Sequence, residues 1–326
     1  MKHDVIKGVI FALILAVPSY YLGISFPIIG GPVFGILIGM LFALLPRSTS
    51  FEAGISFTGK KILQYSIIFL GFEMNLFHVM KVGSQSLSVM LFTLITAFGV
   101  AWWIGKLLKL NTMISTLIGA GTAICGGSAI AAVAPVIGAK DRDITLSIST
   151  IFLFNVIAVF IFPFLGHAIG MSDFGFGMWS GTAVNDTSSV VAVGYSYSPE
   201  AGYFATIVKL TRALMIVPVC LLFSFITTRS QNNGEDLNFR RIFPWFILWF
   251  VVASVINTAG ILPEQVSAML GNIGKFGIVL SMCAIGLNTK IWDLLRNGGR
   301  PIALGFCCSV AVACMSLAVQ HIEGIL

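Results

Sequence analysis

Charged side chains are scarce in this chain. Only 10% of its 326 residues are Asp, Glu, Lys or Arg, against 57% hydrophobic, and the mean hydropathy is +0.97. A water-soluble domain carries about 25% charged residues, so this chain cannot cover itself in water. Acids are rarer than bases, 13 against 19, for a formal charge of +6. No basic stripe with interleaved aromatics gathers that surplus, which argues against a nucleic-acid partner. The six cysteines, Cys125, Cys220, Cys283, Cys307, Cys308 and Cys314, show no CxxC or Cys/His spacing. A disulfide framework and a metal site are therefore not expected, and the thiols read as small buried hydrophobes. No Ser–His arrangement or HExxH motif marks an intramembrane hydrolase, so the chain reads as no enzyme and as needing no cofactor beyond a coupling sodium ion or proton.

Long apolar runs take the place of charge. Runs of roughly 20 residues, each able to cross a hydrocarbon layer of about 30 Å, recur along the whole length. The sequence predicts an all-α polytopic membrane protein, a single integral domain over residues 1–326 with the lipid bilayer as its surroundings. Eleven spans are expected, at 7–24, 29–46, 53–76, 84–107, 112–138, 144–168, 175–197, 200–226, 242–259, 264–289 and 301–321. The sizeable polar stretch "TTRSQNNGEDLNFRR" at 227–241 reads as a cytoplasmic loop. With the N-terminus in the cytoplasm, eleven loop Lys and Arg fall inside and three (Lys81, Lys140, Arg142) outside, in keeping with the positive-inside tendency. Eleven crossings put the C-terminus outside, in a bacterial-type plasma membrane.

Two apolar segments interrupt themselves in nearly the same words. "GTAICGGSAI" at 121–130 is followed sixty residues later by "GTAVNDTSSV" at 181–190. A helix broken inside a membrane leaves backbone groups unpaired, which is tolerated around a buried or watery cavity. Gly126 and Gly127 can break the first segment, after Cys125, and Ser128 can cap the half that restarts. Asn185 and Asp186 mark the second break, followed by the donors Thr187, Ser188 and Ser189. A restarting helix N-terminus offers free N–H groups and partial positive charge, which suits an anion.

Ionisable residues inside apolar spans are costly and point to function. Asp186 needs a counter-charge, and "TIVKLTRALM" offers Lys209 and Arg212, three apart and on one helical face. Two cations against one acid leave a surplus positive charge. Arg212 could grip an oxyanion in bidentate fashion. Asp186 would hold the cations or carry a coupling proton. Lys60 and Lys275 are further candidates for that proton, because a buried Lys shifts its pKa readily. Glu52, Glu73, His78, His167 and Asp293 lie near span ends, where interfacial solvation explains them.

Lys60 and Lys275 also belong to an internal similarity. "KKILQYSIIFLGFEMNLFHVMKVGSQSL" (60–87) aligns with "KFGIVLSMCAIGLNTKIWDLLRNGGRPI" (275–302) at a constant offset of 215. Ser66 matches Ser281, and Gly71 matches Gly286. As third and tenth spans the two copies would run in opposite directions, and inverted repeats are a mark of secondary transporters.

The runs "GAGTAICGGSAIAAVAPVIGAK", "FGMWSGTAVNDTSSVVAVGYSY" and "VKLTRALMIVPV", with the paired "FLGFEMNL" and "AIGLNTKI", resemble the YeiH-type sulfate exporter family. That family belongs to the bile/arsenite/riboflavin transporter superfamily. The resemblance covers roughly residues 8 to 320. It implies a fold like those of sodium/proton antiporters or bile-acid symporters, with discontinuous helices in a mobile core and, by analogy, a homodimer. It further implies sulfate or a related sulfur oxyanion as substrate. "VNDTSSV" departs from the commoner His-Asp-Thr-Ala-Gln-like pattern. The expectation is thus an alternating-access carrier of a small anion, coupled to protons or sodium. The alternative is a sodium/proton antiporter that uses Asn185 and Asp186 as its cation site.

Overall fold

The computed structural model describes residues 2–26, 30–46, 48–230, 244–289 and 298–325. These residues are mostly helical, and no strand occurs among them. The first bundle holds α1 (Lys2–Ser25), α2 (Gly31–Ala43), α3 (Glu52–Phe57) and α4 (Leu63–Gly71), the last two joined by a π-helical turn at Thr58–Ile62. Then come α5 (Leu76–Leu107), α6 (Thr112–Ala123), α7 (Gly127–Ile137), α8 (Asp141–Ile169), α9 (Asp173–Ala183) and α10 (Thr187–Tyr197). The chain continues with α11 (Pro199–Ala213), α12 (Ile216–Ser230), α13 (Trp245–Thr258), α14 (Glu264–Leu287) and α15 (Gly299–Ile322). Most of the expected loop at 227–241, with Arg240 and Arg241, lies outside the described residues, as do Lys290, Asp293 and Arg296.

Among the described residues, six segments are long and apolar enough to cross a membrane: Asp4–Ser25, Leu76–Leu107, Asp141–Ile169, Pro199–Ile226, Glu264–Leu287 and Gly299–Ile322. Their outer faces carry large exposed apolar side chains such as Phe77, Leu91, Trp102 and Trp103. A surface of this kind is stable against lipid and not against water.

The segments 112–138 and 175–197 do not cross as expected. Each folds back on itself. Phe176, at the start of α9, stacks on Tyr197, at the end of α10, with ring centroids 3.9 Å apart. At 1.5 Å rise per residue, a through-going helix would separate them by about 30 Å. The hairpin base is tied again where Tyr197 Oη donates to the Met171 carbonyl and Ser198 Oγ to Asp173 Oδ1. Helix α8 records both arms: Phe162 stacks on Trp179 of the descending arm at 4.3 Å, and His167 on Tyr197 of the returning arm at 4.2 Å.

The first hairpin opens from the other face. A Cβ on Gly121 of α6 would lie 3.0 Å from Ile130 Cδ1 of α7, so the two arms touch. Helix α8 leaves directly after α7 and ends beside the base of the second hairpin. Its start, and with it the end of α7, therefore lies at the opposite face. Helix α6 enters from that same face, because α5 runs parallel to α11 and α12: His78 meets Tyr203 at 6.1 Å, and Phe98 meets Phe223 at 5.7 Å. Asn111 and Ser172 cap the entering arms, α6 and α9, through the N–H groups of Met113 and Gly175. We call the face holding the start of α1 and the mouth of the first hairpin the N-terminal face, and the other the far face.

Beside the hairpins stands a scaffold of α1–α4, α13 and α14. Helix α2 lies so close to α14 that a Cβ on Gly39 would come within 2.3 Å of the Cys283 carbonyl oxygen, and one on Gly286 within 2.4 Å of that of Ile36. Only glycine permits this approach, as in membrane helix pairs generally. Helix α14 runs antiparallel to α3 and α4: Ser281 Oγ donates to the Thr58 carbonyl at 3.2 Å, and Lys275 pairs with Glu73 at 3.0 Å. Residues 60–71 and 275–287 of the two aligned segments thus pack side by side in opposite directions.

Candidate functional site at the hairpin tips

The two hairpins meet tip to tip. Both breaks fall at the same place in the shared wording: α6 and α9 end at Ala123 and Ala183, and α7 and α10 begin at Gly127 and Thr187. Gly126 turns the first tip with φ 67 and ψ −129, a conformation open to glycine and strained for other residues. A Cβ there would lie 3.4 Å from Asp186 Cβ of the second tip.

Lys209 and Arg212 of α11 hold both tips. They are 0% and 1% exposed, so each charge must be compensated inside the protein. Lys209 Nζ donates to the Ile124 carbonyl at 2.8 Å and to the Val184 carbonyl at 3.0 Å. Arg212 donates from Nε to the Ala123 carbonyl at 2.7 Å, from one terminal nitrogen to that of Val184 at 3.3 Å, and from the other to that of Thr122. These acceptors are the carbonyls that α6 and α9 leave unpaired at their C-terminal ends, where the helix dipole is negative. The cations therefore fasten one hairpin to the other.

Asp186 has a different task from the ion pair expected for it. Its carboxylate caps α10, accepting the Ser188 N–H at 3.0 Å and the Ser188 hydroxyl. Among the described residues it forms no salt bridge with Lys209 or Arg212. The three side chains still leave a formal surplus of one positive charge at the tips. The start of α7 has no side-chain cap, so the first N–H groups from Gly127 on face the tip region without an intrahelical partner. Ser128 is exposed, Gly127, Asp186 and Thr187 are half-buried, and Cys125, Asn185, Ser188 and Ser189 are buried. The site-forming residues read from the sequence at 125–128, 185–189, 209 and 212 are thus brought together.

Lys60 and Lys275 are not part of this cluster. Lys60 is exposed on the π-helical turn. Lys275 is paired with Glu73 at 3.0 Å, their side chains 36% and 26% exposed, away from the tips. Sequence reasoning assigned Glu73 to the interface and missed this pairing. It also missed Asn155 of α8, 2% exposed, whose Oδ1 accepts the Asp186 N–H at 3.2 Å. The available signal was a lone Asn in the apolar run "FLFNVIAV". Asn185 Oδ1 is buried at the tip with no hydrogen-bond partner.

Opposed broken helices in a bundle too apolar for water define a polytopic membrane protein with a polar site at depth. Residues 7–305 match the family described as Conserved hypothetical protein 698. The chain is 44% identical over 344 residues to a UPF0324 membrane protein of Fusobacterium nucleatum, covering 99% of each. It is 46% identical to a UPF0324 membrane protein of Clostridium tetani, covering 97% of each, and to one of Streptococcus pyogenes, covering 98% of each. The chain belongs to this YeiH-like UPF0324 family of membrane proteins.

Proposed function

We propose that the protein is a secondary carrier that moves a small oxyanion, such as sulfate, sulfite or an organosulfonate, by alternating access at the hairpin tips. One observation carries the reading: two fully buried cations against one carboxylate, beside the uncapped start of α7. Helix N-terminal N–H groups and excess positive charge favour an anion. Lys209 and Arg212 act by positioning the tips and by their field, since their hydrogen bonds go to backbone carbonyls. Gly127, Ser128 and Thr187 are the donors there that are not fully buried. Hairpins entering from opposite faces suit alternating access, because each tip is reached from one face at a time.

In this reading the N-terminus is cytoplasmic. Folding back both interrupted segments keeps the end of α12 and the start of α13 on the N-terminal face and also moves Lys140 and Arg142 there. Among the described residues, Lys7, Lys106, Lys109, Lys140, Arg142 and Arg300 then share that face and Lys81 lies on the far one, a stronger bias than eleven crossings give. The C-terminus lies outside.

A second reading rests on Asn185, whose buried, unpartnered Oδ1 could accept a sodium ion beside Asp186. The deciding experiment uses purified protein in liposomes with a trapped pH dye, adding sulfite, sulfate or taurine outside, with sodium in a parallel series. A proton or sodium flux that requires the anion supports the carrier. A sodium-driven proton flux with no anion present replaces it with cation antiport.

A further inference from the structure

A polar cavity of about 670 Å³ lies between the scaffold and the hairpin bundle near the far face. The scaffold contributes Glu73, Lys275, Glu264 and Ser267, and α11 contributes Glu200. Lys275 and Glu73 neutralise one another at 3.0 Å. Glu200 and Glu264 have no such partner among the described residues. They stand in the first turns of α11 and α14, where acidic side chains are favoured by the helix dipole. The lining thus brings three glutamates, Glu73, Glu200 and Glu264, together with one lysine, Lys275. Beside them is an aromatic wall: Tyr203 and Phe204 stand perpendicular at 5.5 Å, and Tyr195 lines the same space.

Ser267 makes this more than a patch of acids. Its side chain is buried, with the residue 5% exposed, it lines the cavity, and its Oγ has no hydrogen-bond partner. A buried hydroxyl left unsatisfied is costly, and a ligand group would satisfy it. A metal ion does not fit, because no group of three or more His, Cys, Asp or Glu among the described residues is close enough to hold one. Carboxylates spread around an aromatic wall suit a larger, softer cation.

We propose that this cavity binds a small organic amine. Its ammonium group is held by Glu200 and Glu264 against Tyr203 and Phe204, and a hydroxyl or second amino group meets Ser267 Oγ. Because α11 and α14 both line the cavity, an occupant ties the hairpin bundle to the scaffold and holds the two in this relative position. The proposal does not depend on which ion the hairpin tips carry.

The test is calorimetric titration of the full-length protein in detergent with ethanolamine, ethylamine and 1,4-diaminobutane, and with sodium sulfate as a control. Saturable binding of the amines is expected, with ethanolamine tighter than ethylamine. Glu200→Gln and Glu264→Gln should each weaken it about tenfold or more, the effect of losing one charge-assisted contact. Ser267→Ala should remove the preference for ethanolamine while ethylamine binds as before. Glu264→Asp, which keeps the charge, should retain binding and shows that the glutamine effect is not misfolding. Absence of saturable amine binding would overturn the proposal. So would affinity unchanged in both glutamine variants, or heat from sodium sulfate equal to that from the amines.

Discussion

Gly126 and Asp186 face each other across the tips of two helical hairpins that enter from opposite faces. They are close enough that a Cβ on Gly126 would lie 3.4 Å from Asp186 Cβ. One residue supplies a backbone conformation and the other a cap. Each tip thus depends on a residue chosen for local geometry, while the hold between the tips comes from α11.

Gly126→Ala should disable the protein without preventing its insertion. A non-glycine residue at φ 67 and ψ −129 costs about 1–3 kcal/mol, while the added methyl group meets Asp186 in ordinary van der Waals contact. We expect at least a tenfold loss of flux in liposomes, with the melting temperature in detergent lowered by a few degrees. Full flux would remove the tips from the transport path.

Asp186→Asn separates charge from capping. Asn caps a helix about as well as Asp, so stability should change by about 0.5 kcal/mol or less. Asp186→Ala should cost about 1 kcal/mol. If the carboxylate contributes to coupling, the Asn variant loses its ion dependence at near-normal stability. Normal coupling in the Asn variant would limit Asp186 to the cap.

Replacing Arg212 should affect stability as well as flux. Arg212→Gln leaves carbonyls of Thr122, Ala123 and Val184 short of donors, at roughly 1–3 kcal/mol for each buried group left unpaired. Arg212→Lys keeps the charge but not the fork that reaches three oxygens, so it should recover only part of the loss. Thermal melts of both variants beside wild type decide this. Unchanged melting with abolished flux would instead mean that the guanidinium meets the substrate directly.

The fold-back itself is testable from outside the membrane. Cysteines placed at Lys109 and Lys140 of a background lacking the native thiols should react with a membrane-impermeant maleimide from the same side. A helix crossing at 112–138 would place them on opposite sides. Spin labels at Phe176 and Tyr197 should give a separation well below the roughly 30 Å of a straight helix.

Much of this was legible in the sequence. Hydropathy identifies a membrane protein, because water cannot cover a surface with so few charges. The two breaks were visible at "CGG" and "NDT", since glycine and capping residues act through local backbone geometry. Lys209 and Arg212 stood out because buried charge is costly wherever it occurs. Their partners did not: the acceptors are main-chain carbonyls of Thr122, Ala123, Ile124 and Val184, which no residue type announces. The Lys275–Glu73 pair joins residues 202 positions apart, beyond any local pattern.

Direction after each break was decided by tertiary structure alone. A broken apolar helix has the same composition and periodicity whether its second half continues or returns. What selects return is contact between distant parts: Phe176 on Tyr197, Gly121 against Ile130, and two cations of α11 drawing together the carbonyl ends of α6 and α9. The sequence by itself determined where the chain breaks and which charges it buries. Only packing decided which way the chain turns, because a backbone carbonyl becomes a ligand for a buried cation only after the fold brings the two together.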